Sequence, residues 1–426
     1  MERMKCGLLG EKLSHSYSPQ IHAQLGDYEY LLYEKAPEEV ETFVRHGDWH
    51  GLNVTIPYKK TVIPFCDEVT ETARAIGSVN TLLRRPDGSI LGDNTDAFGF
   101  DALLDSLKLD PRGKEALVLG TGGASATVCA CLRRRGARVR TVSRTASDPE
   151  ASPSSSSALS EKTAITYADI PAHLDAALVV NTTPLGMYPK NGAQALDLSP
   201  FTRLEAVLDV VYNPARTALL LQAESLGIPC AGGLRMLVAQ GVRASEIFLG
   251  RPHPASALEE ILSRLSFEMQ NIVLIGMPGS GKSTVAALLA RELSREAVEA
   301  DAELERLAGC TIPEIFASEG EEGFRRRETA VLTELGKRSG LVLSTGGGCV
   351  TREENYPLLH QNGVIVRITR DLSKLAREGR PLSLTTDLRE MARVREPLYA
   401  RFADCTVSND GTPEETVRAI LERWRK

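Results

Sequence analysis

Two glycine-rich segments, each placed directly after an apolar run, constrain the fold of this chain more than any other feature. Residues 120–124 (GTGGA) follow the apolar run 116–119, and residues 276–284 (GMPGSGKST) follow the run 272–275. A strand that leads through a glycine turn into a helix directs backbone N–H groups and the positive helix end at a phosphate. Such units belong to parallel α/β sheets. The sequence therefore predicts two nucleotide-binding α/β domains, the first suited to a dinucleotide and the second to a nucleoside triphosphate.

Length and composition fit a protein of several ordinary domains. A chain of 426 residues predicts roughly three lobes of 100–200 residues each. The net charge of −6 gives no indication of nucleic-acid binding, and no apolar run approaches the ~18 residues of a membrane span. The N-terminal residues lack the apolar core of a signal peptide, and the eight cysteines are scattered along the chain. We therefore expect a cytoplasmic protein with small-molecule ligands and no nucleic-acid or membrane partner.

The first glycine segment opens a βαβ series that predicts a Rossmann-type domain over residues 98–230. Its sixth fingerprint position is Ser125, where glycine or alanine is usual. The next strand ends in Ser143, Arg144 and Thr145, where an NAD-binding protein would place a carboxylate. A guanidinium at this point suits a ribose 2′-phosphate, so the sequence favours NADP over NAD. A tight turn that binds no ligand is the structural alternative.

Polar side chains are concentrated in the segments N-terminal to this series. Asn53, Thr55 and Lys59 occupy alternate positions of a strand-like stretch, which predicts that they line one cavity. Hydroxyls cluster at residues 14–18, and the lobe also contains Asn80 and Asp96. Many neutral donors and acceptors with few charges suit a polyhydroxylated acid. The alternative for Lys59 and Asp96 is a surface salt bridge worth about 0–1 kcal/mol.

Taken in their order along the chain, these segments resemble shikimate dehydrogenase, and the resemblance covers residues 4–265. Three later segments fit as well: residues 181–187 (NTTPLGM), 209–214 (DVVYNP) and 236–241 (MLVAQG). The resemblance implies NADPH-dependent reduction of 3-dehydroshikimate to shikimate, with Lys59 and Asp96 as the catalytic pair. It also implies a set of substrate-binding residues: Ser14, Ser16, Asn53, Thr55, Asn80, Tyr212 and Gln240. The residues implied for NADP binding are Gly120, Thr121, Gly122, Gly123, Ala124, Ser143, Arg144, Thr145, Thr182, Val210 and Gly233. Asp148 stands where the family often has a second basic residue, so we expect a weaker NADP preference than in relatives with two cations.

The second glycine segment satisfies the G-x-x-x-x-G-K-[S/T] pattern of a phosphate-binding loop. Its backbone amides are expected to cradle phosphates, Lys282 to reach the terminal phosphates, and the Ser283 hydroxyl to bind Mg²⁺. The predicted ATP-binding residues are Gly279, Ser280, Gly281, Lys282, Ser283, Thr284 and Arg380. The pattern alone does not identify the phosphate acceptor.

Further segments resemble shikimate kinase from residue 271 to the C-terminus: residues 299–301 (EAD), 320–328 (GEEGFRRRE), 345–348 (TGGG), 380–382 (RPL) and 395–399 (REPLY). The resemblance implies that Asp301, Arg325, Gly347 and Arg395 bind shikimate and that Asp301 receives or orients the proton of the 3-hydroxyl. It places Arg380 in a lid and makes Lys282 and Asp301 the catalytic residues. Glu299 stands where relatives have aspartate; it is expected to bind Mg²⁺, directly or through water, with altered metal affinity.

The expected fold class is α/β with three parts. An N-terminal α/β substrate lobe (1–97 and 231–265) and a Rossmann-type NADP domain (98–230) form the dehydrogenase, 1–265. A short joint, 266–270, precedes a parallel-sheet P-loop domain of the nucleoside-monophosphate-kinase type, 271–426. The predicted function is two consecutive steps of aromatic amino-acid biosynthesis by the shikimate pathway. Two alternatives stay open: a catalytically retired regulator of the quinate-repressor type, and an NAD-dependent quinate/shikimate dehydrogenase joined to another small-molecule kinase.

Overall fold

The computed structural model describes residues 3–13, 16–145, 163–375 and 388–424. The chain groups into two compact units: unit 1 comprises residues 1–212 and 219–264, and unit 2 comprises residues 213–218 and 265–426. Two predicted site residues, Ser14 and Arg380, lie outside the described residues, as do Asp148 and the serine-rich segment 147–160. None of the helices described is both long and apolar enough to cross a bilayer.

Unit 1 contains two six-stranded sheets. The first is mixed, in the order β2-β1-β3-β5-β6-β4. Its strands are β1 (Lys5–Gly10), β2 (Glu29–Glu34), β3 (Gly51–Val54), β4 (Glu68–Val69), β5 (Thr81–Arg84) and β6 (Ile90–Asp93). The second sheet is parallel throughout, with strands β7 (Glu115–Leu119), β8 (Arg138–Ser143), β9 (Ala164–Thr166), β10 (Leu178–Asn181), β11 (Ala206–Asp209) and β12 (Cys230–Ala231). Its order, β12-β11-β10-β7-β8-β9, is that of a Rossmann sheet, which confirms the predicted fold class for this part.

The helices of unit 1 cover the sheets and position the site. They are α1 (Ser18–His22), α2 (Val40–His46), α3 (Glu71–Ile76), α4 (Asp96–Ser106), α5 (Gly123–Arg134), α6 (Ala218–Ser225, whose first residue belongs to unit 2) and α7 (Leu234–Leu249). Val128 and Leu132 of α5 pack with Val118 of β7 in the core of the Rossmann sheet. Helices α4 and α7 pack against each other, which fixes the start of α4 beside the substrate lobe.

Helix α8 (Ala257–Met269) extends through most of the predicted joint at 266–270. The predicted joint is therefore helical over residues 266–269. Ile261, Leu265 and Met269 are all buried and recur every four residues, so the apolar stripe of the helix continues into this segment. No proline or glycine interrupts it before Asn271, where the next strand begins.

Unit 2 is built on a five-stranded parallel sheet in the order β14-β15-β13-β16-β17. Its strands are β13 (Asn271–Ile275), β14 (Ala297–Glu299), β15 (Val342–Ser344), β16 (Gly363–Thr369) and β17 (Cys405–Ser408). Its helices are α9 (Lys282–Leu293), α10 (Ala300–Ala308), α11 (Ile312–Lys337), α12 (Asn355–His360), α13 (Leu388–Phe402) and α14 (Pro413–Trp424). Alternate residues of the central strand β13 enter two cores: Ile272 and Leu274 pack on one face, and Val273 and Ile275 on the other. The P-loop therefore leaves the centre of a sheet covered on both sides.

Candidate active sites

The glycine turn of unit 1 joins β7 to α5 and presents open backbone. Gly122 is the N-cap of α5, and a Cβ atom at Gly122 or Gly123 would meet no other atom within 4 Å. The first turn of α5 contains no acidic side chain, so the positive end of the helix is not neutralised there. The turn thus fits the pyrophosphate of a dinucleotide.

Ser125, the unusual residue of this fingerprint, has a structural explanation. Its hydroxyl donates a 2.7 Å hydrogen bond to the carbonyl oxygen of Gly120 and is buried in the turn. The side chain therefore stabilises the return of the chain from strand to helix without occupying the open face at Gly122 and Gly123.

Ser143, Arg144 and Thr145 lie at the carboxyl end of β8, the strand next to β7 in the parallel sheet. The side chains of Arg144 and Thr145 are exposed, and the Ser143 hydroxyl donates to the Thr145 carbonyl oxygen. An exposed guanidinium one strand away from the pyrophosphate turn has the charge and position that a ribose 2′-phosphate requires.

The remaining predicted cofactor residues follow the carboxyl ends of β10, β11 and β12. Thr182 donates through its hydroxyl to the Leu119 carbonyl oxygen at 2.6 Å, so this loop is tied to the end of β7. The Val210 amide donates to the Asn181 carbonyl oxygen at 3.0 Å, and the Gly233 amide donates to Val211 at 2.9 Å. One edge of the sheet therefore contains every described residue predicted to bind NADP.

Lys59 and Asp96 are brought together. Lys59 Nζ lies 2.6 Å from Asp96 Oδ2, and their side chains are 22% and 13% exposed. Asp96 is the first residue of α4, whereas Lys59 lies in the turns that follow β3. Strand β3 ends at Val54, so strand alternation does not extend to Lys59, and the turns that follow the strand place Lys59 beside Asp96. Low exposure distinguishes the pair from a fully solvated salt bridge.

The two candidate amide side chains beside this pair have their oxygens occupied. Asn53 Oδ1 accepts a 2.7 Å hydrogen bond from the Tyr30 hydroxyl. Asn80 Oδ1 accepts from the Thr95 amide at 2.7 Å and from the Thr81 hydroxyl at 3.0 Å. One N–H of Asn53 Nδ2 donates to the Thr81 hydroxyl at 3.5 Å. Because both amide oxygens accept from protein donors, the remaining N–H groups are the ones placed to donate to a ligand.

The other predicted substrate residues lie in the same unit. Ser16 Oγ accepts from the Ser18 amide at 3.2 Å, and Thr55 is half-buried directly after β3. Tyr212 packs edge-to-face on Tyr17 with ring centroids 6.0 Å apart, and burial raises the pKa of the Tyr212 phenol. Gln240 of α7 is 9% exposed, and its Nε2 donates to the Leu237 carbonyl oxygen at 2.9 Å, so its Oε1 is the atom left to accept.

In unit 2, a cavity of about 410 Å³ brings together most of the residues predicted for the kinase. Its lining contains Gly279, Gly281, Lys282, Ser283 and Thr284 of the P-loop and its helix, together with Glu299, Asp301, Arg325, Gly347 and Arg395. Ser280 is fully buried beneath the loop. The volume is of the size used by small-molecule sites.

Lys282 is bound to its own loop. Its ammonium donates to the carbonyl oxygens of Gly276 at 2.9 Å and Met277 at 3.1 Å, and the side chain is 7% exposed. The charge thus lies at the phosphate cradle.

Arg325 is held by a buried carboxylate that the sequence did not single out. Arg325 Nη1 donates to Glu328 Oε2 at 2.7 Å, and both side chains are almost completely buried. Helix α11 is kinked at Gly320, where φ is +68°. The part of the helix that contains Arg325 and Glu328 therefore runs in a different direction from the part before Gly320. A Cβ atom at Gly348 would overlap the guanidinium, so a side chain at this position would displace Arg325 from its present place. The sequence pattern FRxxE at residues 324–328 already places Glu328 one helical turn from Arg325, where the two side chains can pair.

Gly347 is fixed through its carbonyl oxygen. Arg395 Nη1 donates to this oxygen at 3.1 Å, and the Tyr399 hydroxyl donates to it as well. Both donors come from α13, so this helix and the glycine run form one wall of the cavity. Tyr399 is a second supporting residue that sequence reasoning missed.

The carboxylic acids of the cavity have altered acidity. Burial raises the pKa of Asp301, and the neighbouring Glu299 carboxylate adds to this while Lys282 opposes it. Burial also raises the pKa of Glu328, against the effect of Arg325. Elevated carboxyl pKa values in a cavity are typical of groups that exchange protons with a ligand.

Ser283 and Glu299 supply one hydroxyl and one carboxylate to the same cavity. Mg²⁺ prefers oxygen ligands and usually keeps waters and substrate phosphates as the rest of its shell. The two residues fit a magnesium–nucleotide complex in which the protein contributes few ligands.

Comparisons with known proteins identify the families of both parts of the chain. Residues 8–82 match the family model of the shikimate dehydrogenase substrate binding domain, and residues 278–425 match the model of shikimate kinase. A shikimate dehydrogenase (NADP(+)) of Methylobacterium radiotolerans is 42% identical over 263 residues, which is 58% of this chain and 91% of the relative. The chain belongs to the shikimate dehydrogenase family. It also contains a shikimate kinase domain at residues 278–425.

Solved structures of the shikimate dehydrogenase family share the fold of the N-terminal part. A chorismate mutase/shikimate 5-dehydrogenase fusion protein of Clostridium acetobutylicum is 33% identical, with a TM-score of 0.57, over 62% of this chain and 98% of that one. The shikimate 5-dehydrogenase of Thermus thermophilus in complex with NADP(H) and shikimate is 31% identical, with a TM-score of 0.53, over 61% and 99%. These likenesses confirm the predicted dehydrogenase fold, and the kinase family model confirms the P-loop domain.

Proposed function

We propose that this chain reduces 3-dehydroshikimate to shikimate with NADPH and then phosphorylates shikimate at its 3-hydroxyl with ATP. The observation that carries the proposal is that a Lys59–Asp96 pair in unit 1 and a cavity with Lys282, Asp301 and Arg325 in unit 2 occur in one chain. The product of the first site is the substrate of the second, so the two activities form consecutive steps toward the aromatic amino acids. A cytoplasmic location remains a prediction.

In the dehydrogenase site, bound NADPH supplies a hydride to the ring carbonyl. The Lys59 ammonium is placed to stabilise the negative charge that develops on the carbonyl oxygen and to donate a proton to it. Asp96, 2.6 Å from Nζ, orients the ammonium. Asn53 and Asn80 donate to oxygens of the substrate, and Ser14 and Ser16 are assigned to its carboxylate.

In the kinase site, ATP with Mg²⁺ supplies the phosphoryl group. Arg325 and Arg395 bind the shikimate carboxylate, since guanidinium groups donate to carboxylates in pairs. Asp301 orients the 3-hydroxyl and accepts its proton, and its raised pKa suits a proton acceptor. Lys282 stabilises the charge on the transferred phosphate.

The proposal is tested by a one-pot incubation of the full chain with 3-dehydroshikimate, NADPH, ATP and Mg²⁺, with products identified by mass spectrometry. Shikimate 3-phosphate is the expected product. Shikimate alone would contradict the kinase assignment, and quinate turnover with NADH in place of these substrates would favour the NAD-dependent alternative. Folded protein that binds shikimate without any turnover would favour a regulator.

Arg144 is expected to determine the cofactor preference. In the Arg144→Ala variant, the KM for NADPH should rise about tenfold because a charge-assisted contact with the 2′-phosphate is lost. The KM for NADH, which lacks that phosphate, should not change. Arg138, exposed at the opposite end of the same strand, provides the matched control. Equal effects of Arg144→Ala on both cofactors would refute the assignment.

A further inference from the structure

We propose that Arg370 is a further nucleotide-binding residue of the kinase domain and that its guanidinium contacts the phosphates of ATP. The inference rests on the proposed kinase function for the identity of the ligand. Arg370 belongs to neither the P-loop nor the segments that resemble shikimate kinase, and it lines the same cavity as Lys282, Ser283 and Asp301.

The sheet places Arg370 beside the phosphate loop. Strand β16 pairs in parallel with β13, with Arg367 opposite Ile275. The P-loop begins one residue after Ile275, and Arg370 is the first residue after β16. Because parallel neighbours end at the same edge of the sheet, both segments emerge side by side there.

The guanidinium approaches the end of the loop that faces a phosphate. Its Nη1 lies 3.8 Å from the position that a Cβ atom would take on Gly281. Gly281 is the N-cap of the twelve-residue helix α9 and precedes Lys282. Arg370 therefore adds a positive charge at the N-terminus of this helix. Asn409, the residue after β17, donates through Nδ2 to the Ser280 carbonyl oxygen at 2.7 Å and so supports the P-loop.

Arg370 forms no direct ion pair among the described residues, although its charge, after the hydrogen bonds from the Asp371 amide and the Ser408 hydroxyl, helps to lower the pKa of the nearby Asp410 carboxyl. Its neighbours differ: Arg367 forms an ion pair with Glu396, and Arg393 forms one with Glu390. Among the residues that the structure describes, no such pair joins Arg370 to an acidic side chain, and its Nε atom is buried without a hydrogen-bond partner. The oxygens of the nearby Asp410 accept from the Asp371 amide and the Ser408 hydroxyl.

These observations favour a polyanionic ligand. An unpaired, partly buried guanidinium is costly unless a negative group compensates it. A guanidinium binds phosphate oxygens through two parallel N–H groups, which the P-loop amides cannot do. The phosphates of the nucleotide are the group that the P-loop cavity is suited to hold.

The test measures nucleotide affinity directly, by calorimetric titration of the full chain with ATP–Mg²⁺ in the absence of shikimate and, separately, with adenosine. The variants are Arg370→Met, Arg370→Lys and the control Arg393→Met, whose side chain is 74% exposed. Arg370→Met should weaken ATP binding about tenfold and leave adenosine binding unchanged, and Arg370→Lys should recover part of the loss. Arg393→Met should bind both ligands as the parent chain does.

Two results would overturn the inference. One is an ATP affinity of Arg370→Met within twofold of the parent chain, and the other is an equal loss for ATP and adenosine, which would indicate a contact with the base or a damaged fold. Shikimate binding by each variant, titrated in the same way, serves as the folding control for unit 2, and reduction of 3-dehydroshikimate serves as the control for unit 1. The parent chain's phosphorylation of shikimate is measured in parallel, so a failure of the kinase proposal is seen separately from a failure of the Arg370 contact.

Discussion

Replacement of Lys59 by alanine is expected to slow 3-dehydroshikimate reduction by about 10³-fold, while phosphorylation of supplied shikimate is retained. The change removes both the proton donor and the positive charge next to the carbonyl oxygen. It also leaves Asp96, which is 13% exposed, without the ammonium that lies 2.6 Å away. The remaining carboxylate would repel the developing alkoxide, so the loss should be seen mainly in kcat.

Lys60→Ala is the matched control, because Lys60 is the adjacent lysine and its side chain is exposed. Both rates should be measured on the same preparation, NADPH oxidation by absorbance and shikimate 3-phosphate by mass spectrometry. If Lys59→Ala reduced its substrate within tenfold of the parent rate, Lys59 would not be the proton donor. Loss of both activities in a folded variant would contradict two independent sites.

Replacement of Asp301 by asparagine is expected to slow phosphorylation by about 10³-fold without a change in reduction. Asparagine keeps the shape of the side chain but cannot accept the proton of the 3-hydroxyl. Glu303→Gln is the control, since Glu303 lies on the same helix α10 and pairs at the surface with Arg306. A rate for Asp301→Asn within tenfold of the parent chain would assign the proton to another group.

The acidity of Asp301 gives this prediction a pH signature. Burial raises its carboxyl pKa, so the group keeps its proton to a higher pH than an exposed aspartic acid. The active carboxylate is lost as the pH falls through that raised pKa, and kcat/KM for shikimate should decline on the acid side above the usual pKa of about 3.9. The residual kcat/KM of the Asp301→Asn variant should not show this decline at acidic pH.

The sequence predicted the strand–turn–helix units well because their signals are local. The glycine turns after β7 and β13 follow directly from the apolar runs that precede them. The short joint at 266–270 continues a helix, because the apolar stripe of that helix extends past Leu265 to Met269.

The supporting residues of the sites could not be predicted in the same way. Tyr30 of β2 reaches Asn53 of β3 across the intervening strand β1, and Tyr399 reaches Gly347 from a helix 52 residues further along the chain. Such partners depend on sheet order and on the break at Gly320, which no local pattern specifies. Glu328 is intermediate: its spacing from Arg325 was visible, but only burial shows that it holds the guanidinium.

The fixed polarity of the two amides in unit 1 has a consequence for inhibitor chemistry. Asn53 and Asn80 both have oxygens committed to protein donors, through Tyr30 in one case and Thr95 and Thr81 in the other. A compound that offers hydrogen-bond donors to both would meet two N–H groups and lose affinity. Ring substituents that only accept, such as a keto or ether oxygen in place of a hydroxyl, should retain binding at these points, so the amides define an acceptor pattern for ligand design.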